Sequence, residues 1–230
     1  MLEQAHRKFE IDPEQLELIK VFLSTVEHFW GGFEKLFSRV SDPREQGKII
    51  YSLTSAIFIG ILMFLFRLGS RRQINEKLRH NRGSEEKFQE LFQIDTIPHG
   101  DSLNYLFKKL SVDQIGEVVS GMATTLIRKK LLYPYRLFGY YMIAIDGTGM
   151  FTFPDRHCPY FLEYHHSSTT LYYHHVLEAK LVTENGFAFS LMTEFIENQE
   201  PNWTKQDCEL KAFYRLAERL KTRCPHLPIC

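Results

Sequence analysis

The chain has 230 residues, 44% of them hydrophobic and 24% charged, with no net charge. That size and balance allow a buried core and exclude a disordered chain or a disulfide-stapled scaffold. Charge is unevenly spread: residues 1–138 carry 20 Lys and Arg against 17 Asp and Glu, and residues 139–230 carry 8 against 11. A basic front and an acidic back imply two regions, 1–138 and 139–230, with different work.

The front region reads as helices. Asp12-Pro13 with Gln15 is a start signal: a capping side chain, then proline at the first helical position. Leu16, Ile19, Leu23, Val26, Trp30, Phe33, Phe37 and Val40 follow at alternating spacings of three and four, an apolar helical stripe that Gly31-Gly32 kinks or breaks. Asp42-Pro43 repeats the start signal before Ile49–Phe66, a run of 18 uncharged residues. A membrane-spanning helix needs roughly 20 apolar residues, and this run contains Ser52, Thr54, Ser55 and Gly60, so a buried central helix is expected, with a membrane-associated protein as the weaker alternative. Further helices are expected to start at Ser70, Ser84, Asp101 or Ser102, and Ser111, the last region ending by Pro134.

Near residue 139 the pattern changes. Tyr140–Asp146 and residues 172–183 read as strands, followed by Asn185-Gly186, a strong hairpin signal. Residues 187–197 form a third strand with Phe187, Phe189, Leu191, Thr193 and Phe195 on one face. A helix capped near Thr204 carries Leu210, Phe213, Ala217 and Leu220, and a fourth strand begins at Leu227-Pro228-Ile229. The order strand-strand-strand-helix-strand after a helical region is an α+β arrangement. A hairpin followed by a helical crossover is the opening of several mixed α/β folds, among them the ribonuclease-H-like fold, where carboxylates at strand ends hold magnesium.

Asp146 is the foremost candidate for chemistry. Asp-Gly often ends a strand as a turn, but a carboxylate fixed at the end of a central strand is also a hard oxygen ligand suited to Mg²⁺. The other candidate acids are Asp155, Glu178, Glu194, Glu197 and Asp207, of which Glu194, near the end of the third strand, could lie close to Asp146, while each alone reads more readily as a solvated or turn residue. His165-His166 and His174-His175 are neighbours on strands and point to opposite faces, so neither pair chelates a metal through both rings; packing or phosphate contact is the expectation, with a zinc site including His157 and Cys158 as the weaker alternative. The four cysteines, Cys158, Cys208, Cys224 and Cys230, contain no CxxC pair and fit a reducing compartment. Arg67, Arg71, Arg72, Lys77, Arg79 and Arg82 cluster against one acid, Glu76, and Arg128-Lys129-Lys130 form a second cluster. Such clusters either neutralise phosphates or form a solvated face. There is no P-loop, GxGxxG, GxSxG or HExxH pattern.

Taken together, IAIDGTG, YYHHVLEAKLVTENGFAFSLMTEFIEN and KQDCELKAFYRLAERLK, preceded by LGSRRQIN and IPHGDSLNYLFKKL, resemble transposases of bacterial insertion sequences of the IS4-like DDE type. The resemblance implies a cytoplasmic, metal-dependent DNA strand transferase in which two Asp and one Glu hold two Mg²⁺ ions. Its partner would be double-stranded DNA at the element's ends, acted on by a homo-oligomer or a mixed oligomer with an intact transposase. Asp146 matches the first acid. The resemblance puts the second Asp at the end of the fourth strand and the Glu much further on, so the chain reads as an amino-terminal part of such an enzyme, expected to be inactive alone. A non-catalytic, DNA-binding or regulatory remnant is the alternative.

Overall fold

The computed structural model describes residues 12–79, 94, 96–198, 203–225 and 227–229. The expected helix at Ser84, together with Arg82 and Cys230, lies outside the described residues. The architecture is α+β: a helical region, then an antiparallel sheet of four strands, then a helix. The chain divides into two compact units, Met1–Ile115 and Gly116–Cys230, and the composition change at residue 139 falls inside the second.

In the first unit, α1 spans Pro13–Trp30, with the Asp12 carboxylate accepting from the Glu14 N–H at 3.1 Å. Gly31 (φ 76°) and Gly32 (φ 92°) then turn the chain through the left-handed region, and their N–H groups cap the carbonyls of Glu27 and Val26. The stripe therefore breaks at the glycines, and α2 runs Phe33–Phe37. Asp42 starts no helix: its carboxylate is taken by Arg44, whose guanidinium reaches it at 2.6 Å, and the start falls to Ser52, which accepts from the Ser55 N–H at 3.0 Å. The helix that follows, α3 (Leu53–Leu65), has 13 residues and spans about 20 Å, short of the roughly 30 Å bilayer core. Among the described residues no helix is long and apolar enough to cross a membrane.

The core of this unit is made of Ile19, Ala56, Phe58, Ile59, Leu62, Ile74, Leu78, Ile97, Leu103 and Leu106, all buried. A short helix α4 (Arg71–Gln73) passes directly into a π-helical stretch, Ile74–Arg79. The Asn75 side chain holds that stretch to the next helix: its carbonyl accepts from the Gly100 N–H at 2.8 Å and its amide lies 2.9 Å from His99 Nε2. His99, rather than Asp101 or Ser102, caps α5 (Gly100–Phe107), its Nδ1 accepting from the Asp101 N–H at 3.2 Å. Two glycines permit the packing. A Cβ at Gly100 would lie 2.6 Å from the Arg71 carbonyl oxygen, and one at Gly60 would lie 2.6 Å from the Phe107 ring. Helix α6 (Val112–Arg128) follows Ser111, whose hydroxyl accepts from the Gln114 N–H at 3.3 Å.

In the second unit the strands are β1 (Met142–Phe153), β2 (Leu162–His166), β3 (Thr169–Val182) and β4 (Ala188–Ile196). All pairings are antiparallel, and β3 is the common partner. β1 covers one edge of it, while β2 and β4 share the other, β2 beside Thr169–Tyr173 and β4 beside His175–Val182. The sequence pattern missed β2, so one more strand precedes the helix than expected. That helix, α7 (Glu209–Arg223), begins at Cys208 rather than near Thr204 and buries Ala212, Leu216 and Leu220. Ile229 then forms a parallel bridge to Tyr141 at the outer edge of β1, with the Tyr141 N–H donating to the Pro228 carbonyl at 2.7 Å.

The β3–β4 turn differs from a two-residue Asn-Gly turn. Only Gly186 has positive φ (86°), and three residues separate Thr183 from Phe187, whose carbonyl accepts from the Thr183 N–H at 3.0 Å. This is the longer loop with glycine in the left-handed position. The ladder also shifts register between Ala179 and Lys180, which pair with Met192 and Ser190 and leave Leu191 as the extra residue. The bulge changes the phase of β4. Phe189 and Phe195, expected on one face, therefore lie on opposite faces.

Candidate functional site

Asp146 is not at a strand end. β1 runs seven residues further, because β3 offers partners all along it: Asp146 pairs with Glu178, Gly147 with Leu177 and Thr148 with Val176. Gly147 serves close approach rather than a turn. A Cβ there would lie 2.3 Å from a Glu209 carboxylate oxygen, so the start of α7 sits directly over it. Side chains alternate along a strand, so Asp146 points to the other face, away from α7, and is exposed. Its Oδ1 accepts from the Gly147 N–H at 2.9 Å.

Glu178, directly opposite, shares that face. Its carboxylate is engaged by Lys180 Nζ at 3.1 Å. Glu194 does not approach Asp146. It pairs with Leu177, and the bulge at Leu191 sets it on the α7 side of the sheet. There it is 8% exposed and accepts from Arg215 Nε and from Arg219, both at 2.6 Å.

The Glu194 contacts belong to a polar knot absent from the sequence reading. Arg215 also donates to the Asp207 carboxylate at 2.6 Å and to the Phe195 carbonyl at 3.0 Å. Asp207 in turn accepts from the Glu197 N–H, and its own N–H donates to Asn198 Oδ1. Asn198, 2% exposed, donates to the Phe161 carbonyl at 2.8 Å. Burial is the largest influence on the Asp207 carboxyl and pushes it up, but the Arg215 hydrogen bonds and charge, together with backbone hydrogen bonds from Cys208 and Glu197, jointly hold the group below its ordinary value. Burial, reinforced by the neighbouring Glu194 charge, holds Glu197 above its own. The available signal was a Glu at a buried strand position facing Arg residues one helical turn apart.

The histidines disperse. His165 lies 3.6 Å from Glu163 and 3.0 Å from the Thr170 hydroxyl, and His175 lies 3.8 Å from Glu209. The His174 ring centroid is 4.1 Å from that of Phe161, and burial lowers its pKa. Among the described residues, no group of three His, Cys, Asp or Glu side chains is placed to hold a metal ion. Among the described residues the donor set does not make up a three-carboxylate magnesium centre, and Glu178, the carboxylate paired with Asp146 across the ladder, is held by Lys180.

In the basic cluster, Arg67, Arg71 and Arg72 are exposed, and Lys77 and Arg79 are half-buried within the π-helical stretch. Arg67 has φ 52°, a left-handed conformation that turns the chain after α3. Arg72 bonds Glu76 one turn on, at 3.1 Å, an exposed pair. Arg128, Lys129 and Lys130 are exposed at the end of α6.

Residues 35–122 match the family model described as DDE_Tnp_1-associated. The resemblance is to a region that accompanies DDE transposases. The match runs from α2 into α6 and includes Arg67, Arg71, Arg72, Lys77 and Arg79, while Asp146 lies beyond it. Neither a curated protein nor a solved structure matches the chain.

Proposed function

We propose that this chain is an IS4-like DDE transposase sequence, acting on the DNA ends of an insertion sequence. The observation that carries the reading is the transposase-associated match over residues 35–122. The helical region, approximately 1–138, would bind duplex DNA through Arg67, Arg71, Arg72, Lys77, Arg79 and Arg82. Residues 139–230 would begin a ribonuclease-H-like catalytic domain. The parallel bridge from Ile229 to β1 and the exposure of Asp146 on β1 support that assignment. Asp146 would be the first magnesium-binding acid.

Duplex DNA should be bound with an affinity that falls as salt rises. Replacing Arg71 and Arg72 together by Gln should weaken binding and reduce the salt slope by about 2. Absence of duplex binding at low salt sinks the reading, and unchanged binding in the double variant removes the cluster from it.

The incomplete donor set favours a second reading, a DNA-binding or regulatory protein without strand-transfer activity of its own, assembling with itself or with an intact transposase. With Mg²⁺ and end-containing DNA these 230 residues should produce no nick. Cleavage that is lost in Asp146→Ala would overturn this second reading.

A further inference from the structure

Between Glu117 and Asp146 lie four cations, Arg128, Lys129, Lys130 and Arg136, and no acid. In the middle of that stretch the chain makes a tight reversal. Leu137 and Tyr140 exchange both backbone hydrogen bonds at 2.9 Å, and the two residues between them have positive φ, 50° at Phe138 and 87° at Gly139. Such a turn takes Asn-Gly or Asp-Gly, because a residue with a Cβ is strained in the left-handed region and Asn or Asp tolerates it best. Here the first position holds phenylalanine, and its ring is 90% exposed. Two unfavourable choices coincide: a bulky side chain in a strained conformation and an apolar ring in water.

Lys130 is also left-handed, with φ 61°, but it closes α6 as a left-handed cap, its N–H donating to the Ile127 carbonyl and the Leu131 N–H to the Leu126 carbonyl, so the fold accounts for it. Among the described residues no ring contact accounts for Phe138, which is 90% exposed. The surroundings indicate what would meet it. Leu137 and Tyr140, which flank the turn, and Tyr133, five residues before Phe138, are exposed, and the Arg136 guanidinium lies 3.5 Å from the Tyr133 ring centroid. Exposed rings interleaved with cations are the means by which proteins hold a nucleic-acid strand: phosphates meet the cations and an accessible base face meets a ring.

We infer that the Leu137–Tyr140 turn is a nucleic-acid contact in which Phe138 stacks on an unpaired base while Arg128, Lys130 and Arg136 meet the flanking phosphates. The inference rests on the DNA-acting reading above and adds a second contact region, far along the chain from the Arg67–Arg82 cluster and with a preference for a strand whose bases are accessible.

The test is fluorescence anisotropy with a labelled oligothymidine and with a blunt duplex. Phe138→Asn keeps the turn and relieves its strain, so it should melt no lower than the parent chain. It should bind oligothymidine about tenfold or more weakly with an unchanged salt slope, and bind the duplex as the parent does. Arg128→Gln with Lys130→Gln should instead lower the salt slope. Equal oligothymidine affinity in Phe138→Asn overturns the inference while leaving the DNA-acting reading standing. If neither DNA binds the parent chain, both fall. If Phe138→Asn turns a dimer into a monomer with no change in oligothymidine affinity, the ring is a protein contact and the inference is wrong.

Discussion

The two units are held by different physics. The helical unit is an apolar assembly: α3 buries Ile59 and Leu62 completely, and the closest approaches are made where Gly60 and Gly100 leave no side chain. The sheet unit also has buried apolar residues, but α7 is fastened to the sheet by charge, through Arg215 and Arg219 on Glu194 and Arg215 on Asp207. Apolar packing carries no titratable group and is insensitive to pH, whereas a charged latch is sensitive to protonation. The contrast predicts that the units fail under different insults.

The largest effect should come from Leu62→Ala in the helical core, about 3 kcal/mol or more of destabilisation, read by denaturant unfolding. Hydrogen exchange should show the loss in the helical unit with β3 still protected. Equal loss of protection in β3 would break the comparison, because the units would then unfold as one.

Arg215→Ala should come next, costing about 2–3 kcal/mol, since it leaves the carboxylates of Glu194 and Asp207 close together with one partner fewer. The guanidinium is 35% exposed, so water screens part of the effect. Here the exchange pattern should reverse, with β4 and α7 opening while α3 stays protected.

A smaller effect separates the units by pH. Asp207 has a depressed carboxyl, so its stabilisation is present above its unfolded value of about 3.8 and is lost as pH falls through the lower folded value. Glu197 runs the other way: its folded value is raised, so the native state takes up a proton more readily and stability declines as pH rises through the range above about 4.5. Glu197→Gln should therefore raise the melting temperature at pH 7 and change it little at pH 4. A fall at pH 7 would show that the charge of Glu197 is needed rather than tolerated. Smallest of all should be Glu76→Gln, which removes the exposed Arg72 pair and should cost at most about 0.5 kcal/mol.

The helical unit was the more legible in sequence. Asp12-Pro13, Gly31-Gly32 and the apolar run of α3 are local signals, and each acts where it stands. The failures there were local competitions: Arg44 takes the Asp42 carboxylate, and His99 caps α5 ahead of Asp101. The sheet was less legible because its decisive features are relations between strands. β2 is only five residues long and turns through Ser167 at φ 45°, where no glycine marks the reversal. The Leu191 bulge follows from pairing with β3, and it alone decides that Glu194 faces α7. That Asp146 lies on a strand is legible from the apolar run before it. Its mid-strand position depends on how far β3 extends, which periodicity in β1 does not report.

The placement of β3 has a kinetic consequence. β2 and β4 reach it through short turns, so both hairpins form by local closure. β1 must wait, since Met142 meets Val182 only after the whole intervening chain has folded back. Pulse-labelled hydrogen exchange should find β3–β4 amides protected before those of β1. Asp146 and Glu178 would then meet in the final step of assembly, and a nascent chain would carry the first carboxylate for some time before a neighbour arrives beside it.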